Sequence, residues 1–179
     1  GEYGIVIKST IDNVVLKIMD VREREDRHNF RHELNMLRTL NQHTQTTTSP
    51  LGPKYYKATI VNKEIGIIAL QDLHSVFPKA LKIETFTEDY IKELKNTLKR
   101  LHKHGMAHGD LHINNIYVAT MPKDKYKVFF IDFGLSYMLE DLDKNKKGDK
   151  VNCGGTYIDT YKHPNVNVSI PLDNSWIYT

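Results

Sequence analysis

Apolar positions near the start of the chain alternate and then shift to a helical spacing, and the shift predicts the first elements. Ile5 to Lys8 and Val14 to Met19 read as strands joined at Asp12-Asn13, a hairpin. Phe30, Leu34, Leu37 and Leu40 then recur every three or four residues, which predicts a helix from about Glu23 to Asn41. After a polar loop from Thr44 to Pro53, Lys54 to Val61 and Glu64 to Leu70 predict two further strands turning at Asn62-Lys63. At Gln71-Asp72-Leu73 the pattern changes from strand-rich to helix-rich, the expected hinge between two lobes. Thr85 to Glu88 fits a capping box, and Ile91, Leu94, Leu98 and Leu101 line a long helix ending at His104-Gly105. Ile116 to Val118 and Val128 to Ile131 read as short strands. Glu140 to Lys150 is a charged run anchored only by Leu142. Order is expected to return at Gly154 to Tyr157 and Tyr161 to Pro164, and a helix capped by Asp173 to begin in the tail. There is no internal repeat.

Candidate chemistry gathers between Met106 and Gly134. His108-Gly-Asp110-Leu-His-Ile-Asn-Asn115 precedes the first short strand, and Asp132-Phe-Gly134 follows the second, with Gly134 expected to supply the sharp turn. Two carboxylates and one amide thus come from adjacent strand ends, a set suited to holding Mg²⁺ on a triphosphate and steering an attacking hydroxyl. An aspartate after an apolar strand is by itself an ordinary turn residue. The ordered pair of motifs points to phosphoryl transfer.

Upstream, Gly1-x-x-Gly4-x-Val6 fits a flap whose backbone N–H groups lie over phosphates. Lys17 stands in an apolar strand, where it either faces solvent or reaches the α- and β-phosphates. The second role requires a carboxylate to fix it. Glu33 borders the apolar stripe of the helix and is preferred to Glu23, Glu25 and Asp26, which lie in a solvated stretch. At the hinge, Gln71 and Leu73 would present backbone C=O and N–H to an adenine edge.

Taken in order, the flap, strand lysine, helix glutamate, hinge, H-G-D-x-x-x-x-N, D-F-G and a G-T…P segment resemble the protein-kinase-like superfamily. The resemblance covers nearly the whole chain and implies an α+β, two-lobed kinase-like fold, truncated at both ends. Residues 1–72 would form a β-rich lobe with one helix, and residues 73–179 a mainly helical lobe. By this resemblance ATP and Mg²⁺ are the cofactors. Asp110 accepts the proton of the attacking hydroxyl, and Asn115 and Asp132 hold the metal. Lys17, paired with Glu33, holds the α- and β-phosphates, while Gly4 belongs to the flap and Val6 and Val15 cover the adenine ring.

The stretch from Asp132 to Pro164 resembles an activation segment, and Asp173 with Trp176 resembles the start of an anchoring helix, which implies a protein substrate phosphorylated on Ser/Thr. A regulatory protein partner is also expected. Departures from the common pattern qualify the acceptor and the regulation. Gly109 replaces the arginine that pairs with an activation-segment phosphate in many kinases, so activity is expected without that phosphorylation. His-Gly-Asp-Leu-His112 is the spelling typical of aminoglycoside and choline phosphotransferases and lipopolysaccharide kinases. Ile131 to Ser136 is similar instead to protein kinases, particularly the small atypical kinase of the KEOPS complex and its RIO-like relatives; the short, Asn/Lys/Ile-rich chain also resembles compact kinases of large DNA viruses. Asn165 follows Pro164 where glutamate is usual. A small-molecule kinase and an ATP-binding pseudokinase are the alternatives; the presence of Lys17, Asp110 and Asp132 together argues against the second.

Composition narrows the setting. The chain has 179 residues, is 40% apolar and 26% charged, and carries a formal charge of +3, too little to argue for nucleic acid. No apolar run reaches membrane-spanning length, so no membrane partner is expected. The single Cys153 favours a reducing, cytoplasmic location, with a nuclear or viral-factory site also compatible. His102, His104, His108 and His112 are close in sequence, but residues two apart on a helix face different ways, which argues against zinc. His108 is expected instead to make a buried hydrogen bond that shapes the catalytic loop.

Overall fold

In the computed structural model, which describes residues 4–44, 50–77, 88–111, 113–123, 125–140, 160–162 and 169–171, the alternating N-terminal segments pair into one antiparallel sheet. Its strands are β1 (Ile5–Lys8), β2 (Val14–Asp20), β3 (Tyr55–Val61) and β4 (Ile65–Gln71), in the order β1-β2-β4-β3. Asn13, at the first hairpin, has φ 61°. Asn62 and Lys63 have φ 51° and 63°, and the Glu64 N–H closes their turn on the Val61 carbonyl at 3.0 Å. Two successive left-handed residues match the twist of an antiparallel hairpin.

Helix α1 (Arg24–Thr44) covers one face of this sheet. Phe30, Leu34, Leu37 and Leu40 are all buried, as their spacing predicts. Gly66 makes the contact possible, because a Cβ there would lie 2.5 Å from the Phe30 ring. At the far end Asn41 donates to the Leu37 carbonyl and accepts the Tyr55 N–H at 2.9 Å, tying α1 to β3. The opposite sheet face carries Ile5, Ile7, Val61 and Ile65, each exposed. After β4 a short helix, α2 (Leu73–Val76), begins.

These elements form one unit, Gly1–Pro78, and a second comprises Lys79–Thr179. There α3 (Glu88–Lys103) packs on β7 (Lys125–Phe130) through a face that includes Tyr90, Leu94, Leu98 and Leu101. It ends as expected: Gly105 has φ 76° and donates its N–H to the His102 carbonyl at 2.8 Å. β5 (Met106–Ala107) pairs with β8 (Tyr137–Met138), and β6 (Ile116–Met121) pairs antiparallel with β7. A further ladder joins β9 (Thr160–Lys162) and β10 (Ser169–Pro171).

The capping residues Thr85 to Thr87, His112, the charged run from Asp141 to Lys150, Cys153, Gly154 to Tyr157, Pro164, Asn165, Asp173 and Trp176 lie outside the described residues. Among the described residues no helix is long and apolar enough to cross a membrane.

Candidate active site

The first unit places Lys17 on the covered face of the sheet. Lys17 pairs with Val6 on one side and Ile68 on the other, so Val6, Val15 and Lys17 share the face against which α1 lies. Glu33 projects from α1 to meet it, and Lys17 Nζ donates to Glu33 Oε1 at 2.7 Å. Their side chains are only 7% and 2% exposed. A buried lysine needs such a partner, since an isolated ammonium would lose its proton rather than stay charged without water. Val15 is half-buried, and Val6 is exposed. At Gly4 close approach requires glycine, because a Cβ would lie 2.7 Å from the Ile18 carbonyl oxygen.

At the expected hinge, which lies inside the first unit, the structure corrects one expectation. Leu73 is not extended but opens α2, because Asp72 caps the helix: its carboxylate accepts the His74 N–H at 3.0 Å and the Ser75 hydroxyl at 2.5 Å. The Gln71 N–H is already donated to the Lys54 carbonyl at 2.8 Å. Gln71 therefore has its carbonyl to offer a ligand. The Leu73 N–H, first in the helix, has no acceptor inside it.

Asp72 is only 4% exposed. Burial raises its pKa, but the Ser75 hydroxyl, the His74 N–H and the nearby Lys8 outweigh that and hold the carboxyl below its ordinary 3.8. The unfolded chain therefore takes up this proton first. The cap's stabilisation is complete above the ordinary carboxylate range and disappears as pH falls through the depressed value. Melting temperatures of wild type and Asp72→Asn, measured from pH 7 downward, are expected to converge below about pH 4.

In the second unit the two motifs are joined through His108, which is 1% exposed. Its Nε2 donates to the Ile131 carbonyl at 2.9 Å, and its Nδ1 accepts the Asp110 N–H at 3.3 Å. Its ring also packs at 5.0 Å from that of Phe133, which is fully buried. One imidazole thus sets the backbone beside both Asp110 and Asp132, the shaping role expected of it. Ser136 adds a bond with no sequence signal, its hydroxyl donating to the His108 carbonyl at 2.9 Å across 28 positions.

Asn115 ends a short 3₁₀ turn, Ile113–Asn115, directly before β6. Its Nδ2 donates to the Asp110 carbonyl at 2.9 Å and to Asp110 Oδ2 at 3.1 Å. Its carbonyl accepts the Ile131 N–H at 3.0 Å. Because Ile116 pairs with Phe130, the start of β6 and the end of β7 lie side by side. The second strand stops at Phe130, one residue short of the expected Ile131. The sharp turn also differs from expectation: the positive φ, 62°, belongs to Asp132 and not to Gly134. Aspartate is among the residues that enter this region, and held strain of this kind is characteristic of functional positions.

Gly109 has a steric reason to lack a side chain. Its φ is 80°, and a Cβ would sit 2.1 Å from the Leu135 carbonyl oxygen. Arginine is therefore excluded at this position by backbone. Gly109→Ala is expected to cost at least about 2 kcal/mol, combining left-handed strain with overpacking. Chemical denaturation would check this, and an unchanged midpoint would refute it.

The donor chemistry fits a hard cation. The Asn115 amide nitrogen is committed to Asp110, which directs its oxygen elsewhere, and Asp132 adds a carboxylate; magnesium is bound by oxygens of this kind together with substrate phosphates. Among the described residues no three His, Cys, Asp or Glu side chains cluster as a metal site of their own.

Comparison with known proteins agrees with a kinase-like fold and with the spelling His108-Gly-Asp-Leu-His112. The sequence profile described as "Lipopolysaccharide kinase (Kdo/WaaP) family" matches residues 20–149, well over half of the chain. A Dictyostelium discoideum protein described as "Probable serine/threonine-protein kinase mkcE" is 31% identical over 162 residues, covering 88% of this chain. The chain spans 20% of that relative's length. The β-rich first unit with its Lys17–Glu33 pair, the joined aspartate motifs of the second and the profile match lead to one assignment: the chain belongs to the lipopolysaccharide kinase (Kdo/WaaP) family, kinases of the protein-kinase-like superfamily.

Proposed function

We propose that the protein transfers the γ-phosphoryl group of ATP to Ser/Thr hydroxyls of a protein substrate. The observation that carries the protein acceptor is the 31% identity with a probable serine/threonine-protein kinase across 88% of the chain. In this reading the hydroxyl oxygen attacks the γ-phosphorus, the bond to the bridging oxygen breaks, and ADP departs. Asp110 orients the hydroxyl and takes its proton, so a phosphoester, ADP and one proton result. Lys17, held by Glu33, serves the α- and β-phosphates. Asn115 and Asp132 would hold Mg²⁺, which when bound neutralises charge on the phosphate oxygens. Val6 and Val15 lie against the adenine ring, and the Gln71 carbonyl and Leu73 N–H meet its edge.

A second reading has its own support. The family profile names lipopolysaccharide kinases, so a saccharide or other small-molecule hydroxyl is the competing acceptor. The two are separated by following label from γ-labelled ATP, with magnesium, into a protein substrate, lipopolysaccharide, and a panel of aminoglycosides and choline. Label in protein that disappears with Asp110→Ala and Asp132→Ala supports the protein acceptor. Label confined to lipopolysaccharide or a small molecule moves the assignment to that branch. Nucleotide binding without transfer to any of them would leave a pseudokinase.

Regulation follows from Gly109. With no arginine able to occupy that position, phosphatase treatment is expected to leave the transfer rate unchanged, and a collapse of the rate would refute this.

A further inference from the structure

Asp72 is a buried carboxylate for which the proposed transfer has no direct use. It stands between Gln71 and Leu73, the positions assigned to the adenine edge, and is bound on every side. Its N–H donates to the Asn13 carbonyl at 2.8 Å, which joins it to the turn before β2. Its own carbonyl accepts the Ser75 N–H at 3.2 Å and the Val76 N–H at 3.3 Å. One carboxylate oxygen takes the His74 N–H and the other the Ser75 hydroxyl. Lys8, at the end of β1, brings its Nζ to 3.9 Å. A buried carboxylate carries a desolvation cost that only a full set of donors offsets.

The bonds also divide the hinge donors by use. The N–H groups of Asp72, His74 and Ser75 are all consumed, by Asn13, the Asp72 side chain and the Asp72 carbonyl. The Leu73 N–H, at the first helical position, is the one that the helix itself cannot use. We propose that Asp72 is a positioning residue for the nucleotide: its carboxylate, by capping α2 beside the backbone bond to Asn13, fixes the Gln71 carbonyl and the Leu73 N–H in the arrangement that receives an adenine edge. It touches no substrate atom. The inference rests on the adenine reading above and adds the side chain that makes the hinge rigid. The hinge then loses little ordering entropy on binding, so recognition of the base depends on Asp72 while recognition of the phosphates does not.

The test compares equilibrium binding of Mg-ATP with that of Mg-tripolyphosphate, which has the phosphates but no base, by calorimetry on the full-length protein. Wild type is run beside Asp72→Ala, Asp72→Asn and Ser75→Ala. Asp72→Ala is expected to weaken ATP about tenfold, the worth of one well-placed hydrogen bond, and to leave tripolyphosphate unchanged. Asp72→Asn still accepts the His74 N–H and is expected to restore most of the ATP affinity. Ser75→Ala keeps the carboxylate, removes one donor and is expected to fall between, so the test stands even if Asp72→Ala does not fold. Equal loss for both ligands, or ATP affinity unchanged in Asp72→Ala or, should that variant not fold, in Ser75→Ala, would overturn the positioning role while the adenine reading stands. Wild type binding ATP no more tightly than tripolyphosphate would overturn the adenine reading itself, and the role with it.

Discussion

Asp110→Asn is expected to leave the chain folded and to lower the rate of phosphoryl transfer by about 10²–10⁴-fold, the usual contribution of a positioned general base. The substitution keeps the shape of the side chain and an oxygen able to accept the Asn115 amide, now at 3.1 Å. It removes the capacity to take a proton from a hydroxyl. The backbone of Asp110 is held apart from the carboxylate, its N–H by His108 and its carbonyl by Asn115. Single-turnover transfer from γ-labelled ATP, with a thermal melt on the same sample, separates chemistry from folding. A loss smaller than about tenfold with an unchanged melt would deprive Asp110 of this role.

Breaking the Lys17–Glu33 pair is expected to cost about 3–5 kcal/mol, because the surviving charge stays buried without its compensating partner. The pair is short, 2.7 Å, and both side chains are nearly inaccessible, so solvent cannot take over either group. Glu33→Ala should therefore show a marked drop in melting temperature. Removing both charges at once, as in Lys17→Met with Glu33→Leu, is expected to recover most of that stability, since a buried ion pair and a packed apolar pair are often of similar worth. Phosphoryl transfer should not recover with it. A double variant as unstable as Glu33→Ala alone would show that the pair is held for a reason other than mutual neutralisation. A double variant that retained full transfer would remove Lys17 from the phosphate site.

The residues behind these two predictions differ in how plainly the amino-acid sequence marks them. Asp110, Asn115 and Asp132 stand out because the motif spacing is local: each falls within a few residues of an apolar strand whose ends can be read directly. Lys17 is equally visible as a lysine in an apolar strand. Its partner is one of several nearby acids, and the apolar stripe of α1 singles it out, since Glu33 borders Phe30, Leu34 and Leu37 on a helix whose turn is regular. Glu23 and Glu25, by contrast, are exposed. Helix α3 and its glycine stop are legible for the same reason.

The chain's own pattern therefore determined strands β1 to β4, β6 and β7, its long helices, the α+β kinase-like class and the order of its motifs, because side-chain periodicity and turn chemistry act over a few residues. The two-residue strands β5 and β8, which exist only as each other's partner, were left to packing. Tertiary structure decided what happens where distant segments meet. Gly109 is obligatory only because the Leu135 carbonyl comes to occupy the space of its side chain. The positive φ falls on Asp132, directly after the Ile131 carbonyl that His108 holds from 23 positions away. Asp72 caps α2 by local bonds, but it is held in place because its N–H reaches the Asn13 carbonyl in the turn before β2. None of these contacts has a period, and each depends on atoms brought together by packing elsewhere in its own unit.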